Sequence, residues 1–277
     1  MKFAVLSDAH GNLPALTAVL DDIERWGADQ VIVNGDLVNR GPCSLECLRL
    51  LQARFPGSRC IKGNHEAYVL ACADDPLPAD DPTRELRLFA HWTYRQLGDA
   101  VADIAAWDEH YDLDAPVGAS LHITHGSRLG NRAGISASTP EDELAEKLGP
   151  ARDLFVGSHT HKPLIKRFNG TLVVNTGSVG QPLDGDERAA YGRFTLADGR
   201  WRAEIARVPF DKARALRDMD ESGFLEQGGA ITRLIRLELE QARMHVGPWM
   251  REYLPRVKAG EISVAAGVDS YLRSTKV

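Results

Sequence analysis

Short apolar runs alternate with helically spaced apolar positions through the first third of the chain. Residues 3–7 (FAVLS) form a run of the length expected for a buried parallel strand. Leu13, Leu16, Val19, Leu20 and Ile23 then recur at helical spacing across 13–26. Residues 30–34 (QVIVN) predict a second strand, 44–53 a helix with Leu45, Leu48 and Leu51 on one face, and 58–62 (SRCIK) a third short strand. This β-α-β-α-β order predicts a parallel sheet with right-handed crossovers. Residues 66–107 read as mostly helical, with an acidic, proline-rich loop at 74–82 and a helix at 83–97.

A β-rich half follows, with strands predicted at 110–113, 119–124, 154–157, 164–168 and 171–175. A helix at 140–148 interrupts it, with Thr139 as the expected N-cap and Pro140 in the first helical position. Residues 188–196 and 200–208 predict a hairpin around Asp198-Gly199. After Pro209 strand signals become sparse, and Leu234, Leu237, Leu239 and Met244 keep a helical spacing. The expected organisation is an α/β core at 1–208 and a helical C-terminal appendage at 209–277.

Composition narrows the class. The 277 residues suffice for one large α/β domain with a small addition. A net charge of −6 argues against a general nucleic-acid binder, although a local basic groove stays open. Cys43, Cys47, Cys60 and Cys72 contain no C-x-x-C pair and read as small buried hydrophobes. No run approaches the roughly 18 apolar residues of a membrane span. The N-terminus enters a strand at once, without a secretory h-region. A cytoplasmic protein with reduced thiols and no membrane partner is expected.

The chemistry lies where the apolar runs end. DAHGN (8–12), GDLVNRG (35–41), GNHE (63–66), THG (124–126) and SHTH (158–161) offer Asp8, His10, Asp36, Asn64, His125, His159 and His161. Asp8 and His10 are two residues apart just past a strand, so both can reach one ion. Asp36 and Asn64 leave the next strands at the same carboxyl edge, where open α/β sheets build their sites. Gly35, Gly63, Gly126 and Gly157 flank these residues and allow sharp bends. Carboxylate, amide and imidazole donors without a thiolate suit Mn²⁺, Fe or Zn²⁺, and the set is large enough for two ions. D-x-H or H-x-H alone arises by chance. All the blocks in this order, each at a strand-to-loop junction, read as a dinuclear hydrolase. His91, His110, His122 and His245 lie outside the blocks and read as packed or surface histidines. Glu66 reads as a helix-start carboxylate, and Asp74, Asp75, Asp80 and Asp81 as a solvated loop.

The blocks resemble the signature of the calcineurin-like metallophosphoesterase superfamily: D-x-H, G-D-x-x-x-x-G, G-N-H-D/E, H and G-H-x-H. The resemblance spans residues 3–180 or so. DAHGNLPAL, GDLVNRGP and NTGSVGQP (175–182) point to its bacterial and archaeal phosphodiesterase/phosphatase branch. It implies a four-layer α/β/β/α sandwich with two divalent metal ions at the edge between the sheets, Mn or Fe ahead of Zn or Ni. By the same resemblance Asp8, His10 and His161 hold the first ion, Asn64, His125 and His159 the second, and Asp36 bridges. His65 faces the substrate phosphate or the leaving oxygen, and Arg40 binds phosphate oxygens. Two positions depart from the pattern. Asn39 stands where the phosphatases carry an aspartate; it keeps an acceptor for His65 but cannot stabilise an imidazolium by charge. Ser158, preceded by Gly157, stands in the first place of G-H-x-H, a small change that leaves both histidines in position.

The implied activity is hydrolysis of phosphodiesters or phosphomonoesters of small, nucleotide-type substrates by a metal-activated hydroxide. Phosphoprotein dephosphorylation and dinucleoside polyphosphate hydrolysis are the alternatives within that chemistry, and a catalytically inactive scaffold the alternative outside it. The appendage is expected to supply no metal ligand and to pack beside the site.

Overall fold

Two five-stranded sheets stack face to face in the computed structural model, which describes residues 1–114 and 119–275. Residues 276–277 of the expected appendage lie outside the described residues. In the first sheet β1 (Lys2–Leu6), β2 (Gln30–Asn34) and β3 (Arg59–Ile61) run parallel. The second sheet contains β4 (His110–Asp114), β5 (Ser120–Thr124), β6 (Leu154–Gly157), β7 (Leu164–Phe168) and β8 (Thr171–Asn175), in the order β4-β5-β6-β8-β7. The chain then returns to the first sheet as the hairpin β9 (Ala189–Ala197) and β10 (Arg200–Val208), with β9 antiparallel to β1. Asp198 and Gly199 both have positive φ, 52° and 68°, as the tight hairpin turn requires.

Period-two alternation decides which side chains face inward. Phe3, Val5, Ile32 and Ile61 of the first sheet meet Leu121, Ile123, Leu154, Val156 and Val174 of the second. The intervening positions Ala4, Leu6, Val31 and Val33 face outward, against the apolar stripes of α1 (Leu13–Trp26) and α2 (Ser44–Arg54). On that side the chain also forms α3 (Asn64–Ala71), α4 (Leu88–Leu97) and α5 (Val101–Ala105). On the far side Leu144 and Leu148 of α6 (Glu141–Leu148) cover Phe155 and Val173. The result is the expected α/β/β/α sandwich.

After β10 come α7 (Lys212–Glu221), α8 (Phe224–Gln227), α9 (Thr232–Gln241), α10 (Val246–Lys258) and α11 (Val264–Thr275). They do not trail into solvent. Phe224 is fully buried and meets Trp92 of α4 edge-on at 5.1 Å. Ile231 and Leu234 bury against Trp249, Tyr253 and Val268, with Phe89 at the border of that cluster. Among the described residues no helix is long and apolar enough to cross a membrane.

Three local expectations need correction. Helix α6 starts at Glu141 with Pro140 as its cap, and the Thr139 hydroxyl instead accepts the Ser136 N–H at 2.9 Å. The first turn of the predicted 83–97 helix is a 3₁₀ turn, Arg84–Arg87, because Asp81 accepts the Thr83 N–H at 2.7 Å and pairs with Arg87 at 2.7 Å. Nor is the acidic loop merely solvated, since Asp75 binds Arg87 at 2.7 Å and His91 at 3.0 Å.

Candidate metal centre

Every block identified at a strand end arrives at one place. Asp8 and His10 lie in the loop after β1, Asp36 after β2, and Asn64 opens α3 after β3. His125 follows β5, and His159 and His161 follow β6. All are buried except His159, which is half-buried. Asp8 Oδ1 is 3.1 Å from His161 Nε2, and His10 Nε2 is 3.3 Å from the same nitrogen. On the other side His125 Nε2 is 3.2 Å from both Asp36 Oδ2 and Asn64 Oδ1. Asp36 lies between the two groups, with Oδ2 3.8 Å from His10 Nε2. The atoms of Asp8, His10 and His161 come within 4.8 Å of one another, as do those of Asp36, His125 and His159. His65 forms a comparable group with His10 and Asp36.

The loops are tied to one another beyond the strands. The N–H groups of Asp8, His10 and Gly11 donate to the carbonyls of Gly35, Asp36 and Leu37 at 3.0, 2.9 and 3.0 Å. Gly180 N–H and the Ser178 hydroxyl both donate to Asp8 O, at 3.0 and 2.8 Å. The amide of Asn175 donates to Ser158 O at 2.7 Å and fixes the loop of His159 and His161. Gly35, at φ 85°, has no room for a side chain: a Cβ there would lie 2.6 Å from His125 Nδ1. Asp8, His10, Asp36, His159 and His161 all have left-handed backbone, with φ of 55°, 49°, 55°, 66° and 58°. Such conformations cost non-glycine residues on the order of 1 kcal/mol or more each and concentrate at functional sites.

Glu66 does more than start a helix. One of its oxygens accepts the N–H groups of Asp36 (2.7 Å) and Gly63 (2.8 Å), and the other those of Leu37 (2.8 Å) and Val38 (3.3 Å). This buried carboxylate thereby joins the loops after β2 and β3. Burial and the neighbouring Asp36 charge push it up to about 7, against the donors that favour its ionised form.

The donor chemistry fits divalent cations. Asp8 Oδ1 is buried and has no hydrogen-bond partner among the described residues, a costly arrangement for a carboxylate oxygen without a cation. His125 and His161 use Nδ1–H to donate to the carbonyls of Asn34 (2.8 Å) and Gln181 (2.6 Å). Each therefore turns the Nε2 lone pair into the cluster, the tautomer a metal needs. Without an ion, the buried carboxylates and histidines of the cluster compensate one another's charge. Burial opposes ionisation of Asp36, yet the neighbouring His125 and His65 hold it well below the usual carboxylate range. Burial likewise opposes a charge on His125, but Asp36 and Asp8 push it up to about 10. Burial drives His65 down to about 3 and His159 to about 4.

Next to this cluster, His65 Nδ1 lies 3.0 Å from Asn39 Nδ2. The expectation that Asn39 accepts from His65 is corrected here. Its oxygen already takes the backbone N–H of Arg40 (3.0 Å) and the Thr93 hydroxyl (3.2 Å), so its NH₂ faces the imidazole. His65 Nδ1 must accept, which leaves the proton on Nε2. Asn39 and Arg40 share the left-handed backbone, at φ 69° and 66°. Arg40 Nε donates to Gln181 Oε1 at 2.7 Å, and its guanidinium pairs with Glu238 of α9. A cavity of about 600 Å³ opens over Asp36, Asn64, His65, His159 and His161. Its other walls come from α3, α4 and the C-terminal helices, including Tyr68, Phe89, Ile231 and Val246.

The calcineurin-like phosphoesterase superfamily domain matches residues 1–199 of this chain. The chain belongs to that superfamily. The match stops at the β9–β10 turn, so α7 to α11 and Glu238 lie beyond it. An uncharacterized protein of Methanocaldococcus jannaschii is 28% identical over 236 residues, covering 76% of this chain and 89% of that protein. The symmetrical bis(5'-nucleosyl)-tetraphosphatase of Azotobacter vinelandii is 39% identical over 89 residues; the match covers 31% of this chain and only 32% of that enzyme. The crystal structure of a metallophosphoesterase from Sphaerobacter thermophilus superposes with a TM-score of 0.68 at 26% identity, covering 87% of this chain and 99% of its own. Within this superfamily fold, sequence reasoning located the strand-end residues but not the roles of Glu66, Gln181 and Glu238. Glu66 left a signal, a glutamate three residues after Gly63, whereas Glu238 left none.

Proposed function

We propose that the chain is a dinuclear-metal-dependent phosphoester hydrolase acting on small, nucleotide-type substrates. The observation that carries this reading is the buried cluster itself: Asp36 set between two groups of donors, with imidazole lone pairs turned inward and Asp8 Oδ1 left unpartnered. Asp8, His10 and His161 would hold one ion, Asn64, His125 and His159 the other, and Asp36 both. Manganese or iron is the proposed occupant, with zinc or nickel as alternatives, since no thiolate is present. Two such ions supply Lewis acidity toward phosphoryl oxygens and a water nucleophile at neutral pH.

The chain's own residues do the rest. Asn39 fixes His65 with a proton on Nε2, so that His65 donates a hydrogen bond to a substrate oxygen as a neutral imidazole. Arg40 lines the same cavity and, paired there with Glu238, is the residue proposed to hydrogen-bond phosphate oxygens. Residues 209–277 act in this reading as an appendage that roofs the cavity and contributes no metal ligand. The cavity fits a nucleotide-sized group, and the tetraphosphatase relative supports substrates of that type. An inactive scaffold would have no need of the complete donor set or of the left-handed backbone around it. The free cysteines suit the reducing cytoplasm, where we place the protein.

The test is a metal-by-substrate screen. Chelated protein is reloaded with Mn²⁺, Fe²⁺, Zn²⁺, Ni²⁺ or Mg²⁺ and assayed on aryl mono- and diesters, cyclic nucleotides and dinucleoside polyphosphates. The reading predicts phosphoester hydrolysis that chelation abolishes and reloading restores. Hydrolysis indifferent to chelation, or none with any metal, contradicts it.

A further inference from the structure

Arg40, expected from the sequence to bind phosphate, is not free to act as an isolated cation. Its guanidinium is paired with Glu238, a carboxylate 1% exposed that arrives from α9 in the C-terminal helices. Glu238 is itself held in place: its second oxygen accepts the N–H groups of His245 and Val246, both at 2.7 Å. Gln181 completes the clamp, accepting from Arg40 Nε at 2.7 Å and donating to Ile235 O at 3.0 Å. The pair lines the cavity over the metal-ligand cluster. Of the other cavity-lining arginines, Arg87 is bound by Asp75 and Asp81. Arg132, above Tyr68 at 5.6 Å, makes no ion pair among the described residues. The remaining wall is largely apolar, with Leu86, Phe89, Ile231, Ile235, Val246 and Met250.

We propose that Glu238 is a specificity-determining residue. By cancelling the charge of Arg40 it makes the site prefer a monoanionic phosphodiester, whose second substituent the apolar wall buries, over a dianionic phosphomonoester. The proposal rests on the phosphoester-hydrolase reading above and deepens it. A monoester carries one more negative charge and no second substituent, so it is disfavoured by the carboxylate and gains nothing from the wall. A unit charge on the order of 10 Å away, at an effective dielectric near 20, discriminates between substrates differing by one charge by roughly tenfold.

The experiment compares kcat/KM for bis(p-nitrophenyl) phosphate and p-nitrophenyl phosphate in manganese-loaded full-length protein at pH 8, above the second phosphate ionisation at about 6. Glu238→Gln should lower the diester-to-monoester ratio by roughly tenfold. Arg40→Gln leaves the carboxylate uncompensated and should raise the ratio by a similar factor. The double variant is again neutral and should return it to within about threefold of wild type. A role confined to packing would lower both rates together and leave the ratio unmoved; that result, or the same direction of change in both single variants, overturns the proposal. If Glu238→Gln does not fold, the Arg40→Gln arm still decides, because an unchanged or lowered ratio there also overturns it. A wild-type protein that hydrolyses neither ester overturns the hydrolase reading beneath the proposal, an outcome distinct from an active enzyme whose ratio does not move.

Discussion

Replacing Glu66 by glutamine removes one acceptor from a carboxylate that serves four backbone donors. The oxygen facing Asp36 N and Gly63 N, at 2.7 and 2.8 Å, and the oxygen facing Leu37 N and Val38 N, at 2.8 and 3.3 Å, cannot both survive as acceptors in the amide. Whichever way the glutamine turns, two buried N–H groups meet an NH₂. Each unsatisfied buried donor costs about 1–3 kcal/mol, so Glu66→Gln should destabilise the fold by about 2–6 kcal/mol. The assay is urea unfolding of metal-free protein at pH 8. The choice of pH follows from the folded-state pKa, which is raised from 4.5 to about 7. A raised carboxyl pKa means that the folded protein holds the proton more tightly, so this group's contribution to stability declines between pH 4.5 and about 7 and is level above that. At pH 8 the carboxylate is ionised and all four donors are served. The midpoint should fall with little change in the slope against urea. A loss below about 0.5 kcal/mol would refute the reasoning, since it would mean that these N–H groups find other acceptors.

Three further predictions concern the cluster and the residue that orients His65. Asp36→Asn should reduce both metal content and kcat/KM by about tenfold or more beyond the effect of His159→Ala, because Asp36 faces both groups of donors and His159 only one; near-wild-type activity of Asp36→Asn would show that it does not bridge. His65→Ala should lower kcat by about 10²–10³-fold, equally for good and poor leaving groups, as loss of a neutral hydrogen-bond donor does. Asn39→Asp gives Nδ1 an acceptor in place of a donor and should flatten the dependence of kcat on leaving-group pKa, because a protonated His65 then helps poor leaving groups most; a loss in His65→Ala that grows with leaving-group pKa would show that His65 already works as an acid in the wild type.

Much of this architecture was legible because its signals are local. Apolar runs of strand length ended directly in Asp8, Asp36 and His125, and the topology of an open α/β sheet carries such ends to one edge. The register of α1 followed from its apolar stripe, and its observed bounds are Leu13–Trp26. Interactions over long sequence separation were not legible. Arg40 and Glu238 are 198 positions apart, and nothing near Glu238 distinguishes it from a solvated helical glutamate. Glu66 was visible as a helix-start carboxylate, but two of the N–H groups it serves belong to Leu37 and Val38, in a loop brought close only by β2–β3 pairing. Thr139 looked like a cap because threonine before proline and a charged run has that pattern. Its hydroxyl found a closer donor in Ser136. Asn39 reads as an acceptor in the sequence because nothing local shows that its oxygen is taken by the Arg40 N–H and by the hydroxyl of Thr93, 54 positions away.

The central claim is that this edge of the sandwich holds two metal ions. Anomalous diffraction from crystals of manganese-loaded protein tests it most directly. The account predicts two anomalous peaks per chain, one against Asp8, His10 and His161 and one against Asn64, His125 and His159, with Asp36 touching both. A single peak, or peaks held by other residues, would contradict it.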